Sequence, residues 1–200
     1  MLPPGLYNQP DQKKIQHRFG LILILISVYQ VTTPLSENDE AMKIAGPAPE
    51  HDLIKKLDGK WNVEFKYELG VGMIIEGKGI AEGKMILGGR FLNFEQVTEA
   101  AGMKFASLSI MGYDRRINKY TYYGIDEMGT YAVTGEGDYN SSSKILTLNG
   151  TTLDPTGKSV AMQDYKFIFE FVNDNEIKCD VVFKMPDNTE KAIVKMTYKR

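Results

Sequence analysis

Pro49-Glu50-His51-Asp52-Leu53-Ile54-Lys55-Lys56-Leu57-Asp58-Gly59-Lys60-Trp61 is the stretch on which the fold turns. It reads as a short amphipathic helix over about residues 50–57, followed by Gly59 and a strand opened by the chain's single Trp. From Trp61 the period is two: Trp61, Val63, Phe65 and Tyr67 share one face, and Asn62, Glu64 and Lys66 share the other. A Gly-x-Trp at the first strand of an all-β chain suits a closed barrel. The glycine allows a sharp entry, and the indole plugs one end.

Working outward, runs of the same kind recur at about Ile80–Leu87, Phe91–Thr98, Lys104–Tyr113, Lys119–Asp126, Thr130–Tyr139, Ile145–Leu153, Val160–Val172, Glu176–Phe183 and Ala192–Arg200. Their connectors, such as Gly88-Gly89, Asn140-Ser-Ser-Ser143 and Asn173-Asp-Asn175, are of hairpin length and turn chemistry. No helical window of useful length follows Leu57, which excludes parallel crossover folds. An open meander of about ten strands would leave two long edges, and closure removes them. The last strand places Ala192, Val194, Met196, Tyr198 and Arg200 on one face. Paired with the first strand, it brings Arg200 to Trp61, a cation–π contact on the order of 1 kcal/mol. The expected fold is all-β, a closed antiparallel up-and-down β-barrel of about ten strands with a short N-terminal helix.

The charge balance, 24 Lys+Arg against 26 Asp+Glu, leaves no basic footprint of the kind that nucleic acid requires. Cys179 is the single cysteine, so neither an internal disulfide nor a multi-thiolate metal site is expected. Before the barrel, Lys13, Lys14, His17 and Arg18 precede an apolar run from Phe19 to Tyr29. Basic then apolar, and too short for a bilayer span, residues 1–31 read as a signal peptide or N-terminal anchor for export to the periplasm or beyond, with membrane association if the segment stays attached. Residues 32–48 read as a solvated linker, and residues 49–200 as the barrel domain. Translation from Met42 would instead give a cytoplasmic protein.

The Gly59-x-Trp61 start, the terminal basic residue and the meander resemble the calycin superfamily of lipocalins and fatty-acid-binding proteins. Further motifs are more specific: Pro49-Glu50-His51 with Leu53 and Leu57, Leu87-Gly88-Gly89-Arg90-Phe91-Leu92, Gly112-Tyr113-Asp114, Gly135-x-Gly137-x-Tyr139 and Asp154-Pro155-x-Gly157-Lys158. With them, the chain over about residues 47–200 is similar to a bacterial calycin-like family, domain-of-unknown-function family 1579. That resemblance implies a lipocalin-like barrel and brings no ligand or catalytic residue with it.

His51 is the one histidine after the N-terminal segment, so catalytic triads and two-histidine metal sites lack parts, and histidine-ligated haem is disfavoured. It reads as a structural residue at the barrel floor. The glycines from Gly70 to Gly83 precede strand-like sequence, not a helix, and read as bends, bulges or close strand approach, not as a phosphate loop. Cys179 alternates with Ile177 and Val181 and reads as a core thiol. The candidate ligand contacts are Trp61, Arg90, Tyr122 and Asp126, with no catalytic residue, cofactor or metal assigned. Three readings follow. A carrier of a small hydrophobic or amphipathic molecule is favoured. An isomerase or lyase would use a lumen carboxylate such as Glu95 or Asp126 with a Tyr. A filled barrel would act as a structural or interaction module.

Overall fold

The computed structural model describes residues 44–70, 72–153 and 161–200, so the candidate signal segment lies outside the described residues. The elements are α1 (His51–Lys55), β1 (Gly59–Gly70), β2 (Met73–Ile86), β3 (Phe91–Ala100), β4 (Met103–Asp114), β5 (Lys119–Asp126), β6 (Val133–Asn140), β7 (Ile145–Leu153), β8 (Met162–Asn173), β9 (Glu176–Lys184) and β10 (Glu190–Lys199). Each strand pairs antiparallel with its sequence neighbours, and β10 returns to β1, closing the barrel. The expected all-β up-and-down barrel of ten strands is found.

Alternation sets the inner face. Cross-strand partners such as Tyr113↔Tyr120, Tyr120↔Gly137, Leu148↔Phe167 and Phe167↔Val181 carry one inward row around much of the wall. The closing pairs Val63↔Tyr198 and Phe65↔Met196 continue the inner face across the seam. In β10 a bulge between Ala192 and Val194 breaks the phase, so Ala192 pairs with outward-facing Val182 and leaves the inner face that simple alternation had assigned to it.

One end is plugged. Leu53, Ile54 and Leu57 are buried beneath the barrel beside Trp61, which is 2% exposed. Trp61 Nε1 donates to the Leu57 carbonyl at 2.9 Å, so the one polar atom of the plug is satisfied. The Arg200 guanidinium stands 4.0 Å from the indole centroid and donates to the carbonyls of Lys56 (2.8 Å) and Asp58 (2.6 Å). Gly59, at φ 99°, turns the chain from α1 into β1 in a conformation other residues avoid, next to that guanidinium. His51 is buried, its Nδ1 3.0 Å from the Ala48 amide and its ring edge-on to Tyr113 at 6.0 Å, in keeping with a floor role.

The glycine-rich stretch falls on the β1–β2 hairpin: Gly70 ends β1, Gly72 at φ 81° lies in the turn, and β2 runs for 14 residues from Met73 through Gly77, Gly79 and Gly83. Its inward glycines serve close approach. A Cβ on Gly79 would overlap the Val97 carbonyl oxygen, as one on Gly137 would overlap that of Thr147.

Trp61→Ala is expected to cost roughly 3–5 kcal/mol of stability through lost burial and a residual cavity, and Arg200→Ala about 1–2 kcal/mol. Urea denaturation of both variants checks this; a Trp61→Ala midpoint equal to the parent's would remove Trp61 as the plug.

Candidate functional site

The inner face changes character along the barrel axis. Towards the plugged end the inward residues Leu92, Phe94, Met111, Leu146, Leu148, Phe169 and Ile177 are buried and fill the interior. Towards the opposite mouth Phe65, Gln96, Phe105, Tyr122, Val181 and Met196 also point inward, yet keep accessible surface. The lumen is therefore packed below and less completely buried above, in the half that forms the candidate cup.

Three inward aromatics of this upper half lie along the wall over glycines. Phe65 covers its partner Gly77, Tyr165 covers its partner Gly150, and Tyr122 lies over Gly124 two residues further along its own strand. A Cβ at Gly124 would come within 2.6 Å of Tyr122 Oη and 2.8 Å of its ring. A ring that occupies a missing side chain's place does not stand out into the axis. Tyr165 is further fastened by a hydrogen bond from Oη to the Thr134 carbonyl at 2.5 Å.

At the floor of the cup lies one polar group. Tyr198 Oη donates to Gln96 Oε1 at 2.9 Å and lies 3.2 Å from Met196 Sδ. Gln96 Nε2 has only that thioether at 3.9 Å, a weak acceptor. Ser109 Oγ donates to the Phe94 carbonyl at 3.5 Å, with the Tyr122 hydroxyl beside it. Tyr122 packs at 4.5 Å on Phe167, and Tyr198 edge-on at 5.6 Å on Phe94.

Burial pushes the Tyr122 phenol well up, helped by the neighbouring Cys179 thiol and only partly offset by the Ser109 hydrogen bond. Tyr198 and Cys179 are raised well above their ordinary values, again chiefly by burial. Both phenols are thus O–H donors at neutral pH. Cys179 is a protonated core thiol and no nucleophile.

The structure separates the four candidate contacts. Tyr122 lines the cup. Trp61 is the plug beneath the packed half, out of reach of anything in the cup. Asp126 shares the inward phase of Tyr122 but stands exposed at the mouth, its Oδ1 accepting the Met128 amide at 2.8 Å. Arg90 is not in the lumen. It lies in the turn after β2 at the plugged end, donating to the carbonyls of Ala45 (2.8 Å) and Leu87 (3.1 Å), so its role is to hold the incoming chain. Glu95, the other candidate acid, faces outward and accepts from Asn93 at 2.9 Å. Gln96, Ser109 and Tyr198 escaped sequence reading. The available signal was a polar residue in the apolar phase of a strand, Gln96 following Leu92 and Phe94 at spacing two.

The wall carries a recess of about 780 Å³, lined chiefly by outward side chains including Glu136, Asn149, Asp164 and Lys166, with Tyr122 and Tyr165 of the inner face also in its lining. Lys166 is paired with Glu190 there. Among the described residues no cluster of His, Cys, Asp and Glu is suited to a metal ion.

The family model described as "Protein of unknown function (DUF1579)" matches residues 46–200, three quarters of the chain. The chain belongs to the DUF1579 family. Among solved structures, this DUF1579 barrel is similar to the one described as "Crystal Structure of Rv2717c from M. tuberculosis", with a TM-score of 0.57 at 16% identity over 78% of this chain and 99% of that one. At that identity the likeness speaks for fold alone. No curated protein matches the DUF1579 chain.

The raised phenols and thiol tie stability to alkaline pH. Each has a folded pKa above its unfolded value, near 10.0 for Tyr and 9.0 for Cys, so the stabilisation is complete below those values. It is lost as pH rises past them, because the unfolded chain releases protons that the fold retains. Denaturation midpoints should hold level through neutral pH and fall above about pH 9, less steeply in Tyr198→Phe. An unchanged alkaline slope in both Tyr198→Phe and Cys179→Ala would contradict the burial of these groups.

Proposed function

We propose that this DUF1579 barrel is a carrier that takes a small, largely apolar molecule into the open half of its lumen. The observation that supports this reading is the posture of Phe65, Tyr122 and Tyr165. Each ring lies against the wall over a glycine, a posture that favours space along the axis. An apolar cup with a few convergent polar groups is the usual form of a small-molecule site. The packed lower half, plug and helix then serve as a rigid base that keeps the cup in shape.

The enzymatic reading has less behind it. An isomerase or lyase of this type needs a carboxylate poised beside a phenol in the lumen, whereas Glu95 lies outside and Asp126 stands at the mouth. The lumen's phenols are protonated and paired, which suits recognition better than proton abstraction. The calycin likeness contributes only the general idea of a barrel with one open end. The proposed setting is the cell envelope, on the strength of Lys13, Lys14 and Arg18 before the apolar run from Phe19; mass spectrometry of protein from its own host, by giving the mature N-terminus, tests it.

Binding should raise the melting temperature on addition of the neutral apolar dye N-phenyl-1-naphthylamine, since occupancy stabilises the folded state by mass action. Gly124→Ala should weaken dye binding about tenfold or more by driving the Tyr122 ring off the wall and into the cup. Equal dye affinity in the parent and Gly124→Ala would place the dye outside the lumen and count against the carrier.

A further inference from the structure

We infer that the cup selects an uncharged molecule bearing an acceptor oxygen, such as an alcohol, ester or ketone on an apolar body, and rejects carboxylates, with Gln96 as the residue that sets this preference. The inference rests on the carrier reading above and narrows it to a ligand class.

The inward side chains of the ten strands can be followed around the wall by their pairing. Among the described residues, the only charged ones in that set are Asp126 and Lys191, both at the mouth. Asp126 is taken up in closing a turn. Lys191, partnered across the ladder with Phe183, is engaged by Glu68 at 2.7 Å. Arg90, the cation that a carboxylate site would have used, is at the other end. A carboxylate drawn down to the polar floor would lose its hydration and find no cation there, a penalty that hydrogen bonds from neutral donors do not make good. A carboxylate kept at the mouth would have to displace Glu68 from Lys191, and would leave the Gln96 amide facing an alkyl chain.

A neutral oxygen meets no such obstacle. The Gln96 amide is turned by the Tyr198 phenol, which donates to Oε1 and so presents Nε2. The only partner of Nε2 is the Met196 thioether at 3.9 Å. That is a donor held in position with a replaceable, weak acceptor. Tyr122, beside Ser109 and kept protonated by burial, adds a second phenol on the inner wall. Neutral donors on an apolar wall recognise a carbonyl or hydroxyl oxygen.

The test is displacement of N-phenyl-1-naphthylamine from the full chain at neutral pH by methyl decanoate, dodecanol, dodecane and dodecanoate. Methyl decanoate and dodecanol should displace the dye at the lowest concentrations, with dodecane about fivefold weaker and dodecanoate at least tenfold weaker. Gln96→Leu should bring methyl decanoate down to the level of dodecane while leaving dodecane unchanged. Dodecanoate displacing as well as dodecanol would overturn the neutral-ligand assignment and leave the carrier standing. No dye binding, or no displacement by any of the four, would overturn the carrier reading and this inference with it. The series on the unsubstituted chain decides the ligand class even if Gln96→Leu fails to fold.

Discussion

The structure depends on one closure: β10 must meet β1, and the contact that locks it is the guanidinium of the last residue lying over the first strand's only Trp. Ten antiparallel strands left open would present two rows of unpaired amides and carbonyls to water and to other chains. Closing them turns every strand into an interior one. The seam is held by side chains as well as by the ladder, because Arg200 reaches past its strand to the carbonyls of Lys56 and Asp58, just after α1. Helix, first strand and last strand therefore form one unit, with the indole at its centre.

Once the sheet is closed, the interior has to be filled or left open, and glycine placement decides which. Towards the plugged end large apolar side chains meet and pack. Towards the mouth Gly77, Gly124 and Gly150 give Phe65, Tyr122 and Tyr165 somewhere to lie. The same residue type that draws strands together at Gly79 and Gly137 thus keeps space clear elsewhere. Both effects come from a missing Cβ, and the neighbour that takes its place, a carbonyl or a ring, sets the outcome.

Much of this was legible in the chain. Period-two alternation located all ten strands, and the pairing of a Gly-x-Trp start with a terminal Arg foretold the closing contact, because both depend only on residue type and order. The site was legible in part. Tyr122 has the inward direction expected of it because it sits mid-strand, where alternation does bind a side chain to one face. Arg90 was misplaced because it occupies a turn, where no period dictates direction. Asp126 has the right phase, but lies at the end of β5, and phase carries no information about depth. Gln96 was missed because its significance comes from Tyr198, a residue 102 positions away that only barrel closure brings within 2.9 Å. The bulge at Ile193 marks the same limit, since one extra residue moves Ala192 to the other side of the wall.

Tyr198 belongs to two structures at once. It pairs with Val63 across the seam, and its hydroxyl orients the amide at the floor of the cup. Parting the last strand from the first must therefore also dismantle the polar floor. A molecule bound there, as the carrier proposal has it, would act as a fastener for the seam, and amide hydrogens of β1 and β10 would inherit its grip as slower exchange. The closing seam and the proposed cargo would then be mechanically one joint, and a loaded barrel harder to unzip from its ends than an empty one.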